Sequence, residues 1–250
     1  MVFPIYDDNT GRTRTPYVTY ALIALNVLVF VLLQGLGTNE RFTYAFSTVP
    51  QEIRTGEDIA RPVPVELGGE KGSIPLQPTP GSVYLTLLIS MFMHGSIMHL
   101  LGNMLFLWIF GDNVEDDLAH GRYTAFYLVT GVIASLSHVI STFVFGDNPF
   151  IPSLGASGAI SGVMGGYLVL HPHRRVKVFM FRSLTDVPGY VAVGLWFVFQ
   201  LISAFGVIGQ GAQSGGGVAF MAHIGGFIAG VVLVKLFAAG RLRPARRALN

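Results

Sequence analysis

The chain has 250 residues, 51% of them apolar and only 12% charged, with a mean hydropathy of +0.56. So few charges cannot clothe an ordinary soluble domain, and the composition places the chain in lipid. A net charge of +2 with no basic interleaved face excludes a nucleic-acid partner, and the absence of cysteine excludes disulfides and Cys-based metal or thiol chemistry.

A membrane span needs about 20 mostly apolar residues to cross a hydrocarbon core roughly 30 Å thick. In chain order the sequence predicts six. A tail of residues 1–16 precedes the first span, about Tyr17 to Gln34, which is long and lacks a small-residue cleavage site and so reads as retained. A long external loop follows, about residues 35–95, rich in Pro, Gly and acids up to Gly81. Within it Ser82 to Met93 is apolar, which predicts partial order against the bilayer. The second span runs from about Ser96 to Gly111, the third from Tyr123 to Phe145 and the fourth from Ser157 to Leu170. The fifth covers Tyr190 to Ile208 and the sixth Val218 to Ala239, before a basic tail, residues 240–250, that reads as a topology anchor beside lipid headgroups. Residues 17–239 thus form one all-α, six-helix membrane domain without cofactor or metal.

Cytoplasmic loops carry the Lys and Arg excess. With the N-terminus inside, twelve of the sixteen cations fall on inner segments, and only Arg41, Arg54, Arg61 and Lys71 lie outside, among six acids of the first external loop. An N-in, C-in bundle is expected.

Polar groups that persist within spans are the default functional candidates, because they are costly in hydrocarbon. They are His94, His99 and Asn103 around the second span, His138 in the third, Ser157 and Ser161 in the fourth and His223 in the sixth, with no Asp or Glu inside any span. From Ser157 to Leu170 a helix covers about 21 Å, short of the roughly 30 Å core. Pinned at its inner end by His171 to Arg175, it leaves Ser157 roughly 9 Å beneath the outer boundary, so Asp147 to Ala156 must dip inward along a wet or protein-lined path. Ser157 then opens a helix N-terminus, whose free N–H groups and dipole favour an oxyanion. His223 lies about 24 Å up the sixth span, a matching height. Gly158, Gly162 and Gly166 form one small-residue stripe and Ala222, Gly226 and Gly230 another, which lets the two helices approach until a serine side chain reaches an imidazole.

His99 and Asn103, four apart on one helical face, can both donate to an oxyanion beside the Ser157 N–H. His94 reads as a brace for the loop above, His138 as a helix–helix hydrogen bond, and His120, His171 and His173 as loop or interfacial residues. No acid is placed to complete a triad, so a Ser157/His223 dyad is implied, its base oriented by packing alone. A zinc hydrolase would want H-E-x-x-H or a further carboxylate. A transporter or channel built on the histidines would want an intramembrane carboxylate, and a non-enzymatic binding scaffold would not need both Ser157 and His223.

Three stretches carry a family likeness: His94-Gly-Ser-Ile-Met-His99-Leu-Leu-Gly-Asn103, Gly155-Ala-Ser157-Gly158, and Ala222-His223-Ile-Gly-Gly226-Phe-Ile-Ala-Gly230. In this order and spacing the chain resembles a rhomboid intramembrane protease, and Gly111-Asp-Asn-Val-Glu115 resembles that family's turn after the second span. The resemblance implies Ser157 as nucleophile, His223 as general base, and Ser157 N–H, His99 and Asn103 as the oxyanion hole, supported by His94, Gly155, Gly158 and Gly226. It implies substrates that are transmembrane segments of other proteins, cut near their outer ends after small residues. It also implies lateral access past Trp196, Phe197 and Phe199, a site open to the external side, and a prokaryotic plasma membrane. Two features depart from the family pattern. The loop Trp-Arg pair of many relatives is missing, since the tryptophans are Trp108 and Trp196, and position 161, often an aromatic stacked on the base, is serine.

Overall fold

The computed structural model describes residues 3–67, 70–180, 183–209 and 220–240. Its elements run β1 (Phe3–Asp7), α1 (Tyr17–Leu28, continued by a π-helical turn to Leu33), α2 (Glu40–Phe46), α3 (Pro50–Thr55), β2 (Pro62–Leu67), β3 (Glu70–Pro75) and α4 (Thr86–Ile89). After these come α5 (Ile97–Leu118), α6 (His120–Phe145), α7 (Ser157–Leu170), β4 (Arg175–Met180), β5 (Ser183–Pro188), α8 (Gly189–Gly209) and α9 (Phe220–Phe237). The chain is a mostly helical membrane protein, and α5, α6 and α9 are long and apolar enough to cross a bilayer. The stretches Tyr17–Leu33, Ser157–Leu170 and, within α8, Gly189–Ala204 are shorter apolar helical segments. Val218, where the sixth span was expected to begin, and the basic tail from Arg241 to Asn250 lie outside the described residues.

Helix α7 is apolar around its whole circumference, so it can only sit centrally. Every residue from Gly158 to Tyr167 is buried, with α5, α6, α8 and α9 packed round it and α1 against the outer side of α5. Glycines permit the closest of these contacts. A Cβ on Gly226 would stand 2.1 Å from the Gly158 carbonyl oxygen, one on Gly230 2.0 Å from that of Gly162, and one on Gly165 2.3 Å from that of Phe227. Backbone therefore lies on backbone along the α7–α9 seam, as the two small-residue stripes predict.

The all-α expectation needs correcting, since five strands among the described residues lie outside the bundle. Strands β1, β4 and β5 make a three-stranded antiparallel sheet in that order, and β2 and β3 a separate hairpin. Val176 and Val178 of β4 and Val187 of β5 turn into the main core, while the hairpin has its own small core of Val49, Val65, Ile74 and Leu76. These are segments of only five or six residues, too short to register among long apolar runs.

The second span is also longer than expected. Helix α5 runs on through Asp112, Glu115, Asp116 and Asp117 to Leu118, and α6 begins at once with His120, so the expected turn at Gly111 to Glu115 is helix and acids do lie on a spanning helix. Each described partner explains why they are tolerated. The fully buried Glu115 accepts from the Val18 and Thr19 N–H groups at 2.9 and 2.8 Å, from Thr19 Oγ1 at 2.7 Å, and lies 2.7 Å from His120 Nδ1. It caps the first turn of α1, where Pro16 offers no side-chain cap. Asp116 accepts from the Thr13 and Arg14 N–H groups and Asp112 pairs with Arg12, so the N-terminal segment is strapped across this end of the bundle.

Candidate active site

Ser157 is the first residue of α7, and Gly155 just before it has φ +130°, a conformation an L side chain rarely adopts. The segment leading to it is irregular, as expected, and the long loop after α1 holds it. Thr48 and Ser153 exchange backbone hydrogen bonds of 2.9 and 2.8 Å, Gly155 N–H donates to Ser90 O at 2.9 Å, and the Thr48 hydroxyl ties together Thr86 O and Ser90 Oγ, both at 2.9 Å. The loop is thus a buttress for the serine turn.

His223 sits one turn into α9, and its Nε2 lies 2.8 Å from Ser157 Oγ. Its Nδ1 lies 3.0 Å from Oε1 of Gln200, a buried amide on α8 with 7% exposure. With Nδ1–H donating to that oxygen, Nε2 is left bare to accept the Ser157 hydroxyl proton. The expectation that packing alone orients the base is therefore corrected. Ser161 takes no part in it, because its hydroxyl donates to the Ser157 carbonyl at 2.6 Å within α7. Trp196, one turn before Gln200 on α8, lies near the imidazole instead, with centroids 6.1 Å apart and planes at 38°.

On the other side of Ser157, α5 starts with Ser96 as N-cap, its hydroxyl accepting from His99 N–H at 3.1 Å. This sets the first turn so that the His99 ring edge lies over Gly155. A Cβ there would meet His99 Cε1 at 2.9 Å and Nε2 at 3.1 Å while lying 3.7 Å from Ser157 Oγ. The His99 ring and the serine hydroxyl thus flank the same point. Asn103, one turn on and buried, is 2.9 Å from His94 Nε2 through Nδ2. An amide has two N–H donors, so one remains to donate elsewhere.

His94, expected as a brace for the loop, has its ring beside Asn103 and His99. Its backbone is clamped by Gln34, whose Oε1 accepts from His94 N–H at 2.8 Å while Nε2 donates to His94 O at 3.0 Å, and its ring meets that of His99 edge-on at 5.2 Å. His138 on α6 stands outside the hydrogen bonds that join Ser157, His223 and Gln200. His120 belongs to the Glu115 cluster, and His171 Nε2 lies 3.0 Å from Asp117.

Gln200 is the site neighbour that sequence reasoning passed over. Its signal in the sequence is that of a polar amide between Phe199 and Leu201 in an apolar span, a weaker mark than a titratable group or a nucleophilic hydroxyl. Gln34 and Thr48 gave no such signal, because the partners that tie them to the site lie 60 residues away for Gln34 and 38, 42 and 105 residues away for Thr48.

Comparison with known proteins identifies the family. The Rhomboid domain family matches residues 81–240, well over half the chain, and the chain belongs to the rhomboid family. It is 28% identical over 221 residues to the mitochondrial Rhomboid protein 1 of Saccharomyces cerevisiae, covering 88% of this chain and 53% of that protein. It is 32% identical over 220 residues to the rhomboid protease GluP of Bacillus subtilis, covering 87% of this chain and 35% of that one. Over 103 residues it is 32% identical to the human mitochondrial presenilin-associated rhomboid-like protein, 41% of this chain and 27% of the relative. The chain therefore spans about half the length of the yeast relative and about a third of the Bacillus one.

Proposed function

We propose that this rhomboid-family chain is an intramembrane serine endopeptidase that hydrolyses peptide bonds in or near the transmembrane segments of other membrane proteins. The observation that carries the reading is the 2.8 Å approach of Ser157 Oγ to His223 Nε2 at the N-terminus of a buried helix. On this reading residues 17–239 are the protease domain. Helices α1 and α5 to α9 are its six spans, with both termini inside, and the site opens to the external face of a prokaryotic plasma membrane.

A substrate segment must first unwind, since a helix ties up the carbonyls that would be attacked. Ser157 Oγ then bonds to the scissile carbonyl carbon while its proton passes to His223 Nε2, and the carbonyl electrons move onto oxygen. That oxyanion meets the Ser157 N–H, the spare Asn103 N–H and the His99 ring, all fixed before the reaction begins. Collapse breaks the C–N bond as His223 returns the proton to the leaving amine, giving an acyl-enzyme and a free new N-terminus. Water, deprotonated by His223, attacks the ester through a second oxyanion, and Ser157 leaves with the proton back on Oγ.

The test is labelling by a fluorophosphonate probe, with peptide mapping of the adduct, alongside cleavage of a model single-span substrate. Labelling is expected at Ser157 and is expected to vanish in Ser157→Ala and His223→Ala, together with cleavage. Cleavage that survives Ser157→Ala would sink Ser157 as the nucleophile, and a folded wild-type protein inert to both probe and substrate would sink the protease reading in favour of a binding scaffold.

A further inference from the structure

A base that serves Ser157 must present a bare Nε2, and an imidazole in solution exchanges its single proton freely between two nitrogens. We propose that Gln200 is the positioning residue of the base: its Oε1 accepts the Nδ1–H of His223 and thereby fixes the ring's tautomer and its angle toward Ser157. The inference rests on the protease reading and adds to it the group that takes the place of a triad acid.

Four observations converge on α8. Gln200 Oε1 is 3.0 Å from Nδ1, and the amide is buried with 7% exposure. Among the described residues no carboxylate is hydrogen-bonded to His223, and Ser161, the α7 residue one turn past Ser157, is bonded to its own helix. Trp196 and Gln200 are four apart and so share one face of α8, one beside the ring's plane and the other at its Nδ1 edge. A neutral amide also suits the location. A carboxylate carries a large desolvation cost inside a membrane bundle, whereas an amide oxygen offers a dipole that strengthens its hydrogen bond as the imidazole gains a proton in the reaction. Because both contacts ride on α8, the base is set only while α8 lies against α9.

The alternative to be excluded is an amide turned round. Its Nε2 would then donate to His223 Nδ1 and force the proton to the nitrogen facing Ser157, the idle tautomer. Two substitutions separate these cases, Gln200→Met, which keeps length and volume without an acceptor, and Gln200→Glu, whose carboxyl group keeps an acceptor oxygen at this position in either protonation state. The first readout needs no activity: ¹⁵N-histidine solid-state NMR of the full chain in lipid bilayers. It is expected to show His223 protonated at Nδ1 in wild type and Gln200→Glu, and a mixture of tautomers in Gln200→Met. The second is kinetic. Gln200→Met is expected to lower kcat about 10- to 100-fold with KM unchanged, and Gln200→Glu to recover kcat to within a few-fold of wild type. A wild-type ring protonated at Nε2, a Gln200→Met protein with wild-type tautomer and kcat, or a Gln200→Glu protein no better than Gln200→Met would each overturn the proposal. A wild-type protein inert to probe and substrate would fail the protease reading, while the tautomer measurement would still decide the role of Gln200.

Discussion

Replacing Gly226 by alanine adds one methyl group at the point where α9 touches α7, three residues after His223 and against the residue that follows Ser157. An ideal Cβ there lies 2.1 Å from the Gly158 carbonyl oxygen and 3.1 Å from both Gly158 C and Ala134 Cβ. Neither the carbonyl nor the Ala134 methyl can swing aside, since one is helix backbone and the other has no further rotamer. Bringing the 2.1 Å contact out to ordinary contact at 3.4 Å takes about 1.3 Å of separation between the helices. The Ser157–His223 hydrogen bond, 2.8 Å as it stands, is then beyond reach. Overpacking of this kind costs about 1–3 kcal/mol of stability, and a displacement of about 1 Å in a catalytic pair costs on the order of 10²-fold in rate. Gly226→Ala is therefore expected to lower fluorophosphonate labelling of Ser157 at least about 100-fold and to lower the detergent unfolding temperature. Gly121→Ala is the control, because a Cβ at that exposed α6 position meets nothing within 4 Å and lies at the other end of the bundle. It is expected to leave both readouts unchanged. A Gly226→Ala protein that labels within a few-fold of wild type would refute the argument that backbone contact along this seam sets the dyad.

The Glu115 cap predicts that Glu115→Gln costs about 1–3 kcal/mol, since one carboxamide cannot accept from all the donors that converge there and its own NH₂ would face the N–H groups of α1. Thermal unfolding in detergent measures it, and an unchanged midpoint would count against the capping role. Two carboxyls outside the spans predict a pH dependence. Burial, with Asp112 beside it, pushes Asp7 up to about 7 against the hydrogen bonds from Tyr167 and Asn113 and the charge of Arg174, and burial pushes Glu52 up to about 7 against the Ile59 N–H. Both folded values stand above the unfolded ones of 3.8 and 4.5, so the folded state holds more protons between. Their contribution is complete below about pH 4 and is lost as pH rises through about 7. Unfolding temperature is expected to fall over that window in wild type and to fall less steeply in the Asp7→Asn, Glu52→Gln double variant. Equal slopes would refute the assignment.

Much of this molecule was legible because its signals are local. Apolar runs located α1 and α5 to α9 to within a few residues, except where α5 continues through acids whose partners lie in the N-terminal segment about a hundred residues earlier. The length of α7 fixed where Ser157 begins, and four-residue spacing of Gly158, Gly162, Gly226 and Gly230 announced which helices could touch. These are properties of one helix at a time, written in periodicity and in the lengths lipid demands. What only the tertiary structure decided are the contacts that join distant stretches: Thr48 bridged to Ser153, Gln34 clamping His94, β1 laid beside β4, and Gln200 on α8 meeting His223 on α9. A span's apolarity says that it lies in the membrane but not which of its faces meets which neighbour. That is fixed by the packing of all the helices at once, which is why Ser157 and His223 could be paired from sequence while the residue that turns the imidazole toward the serine emerged only when the helices were placed together.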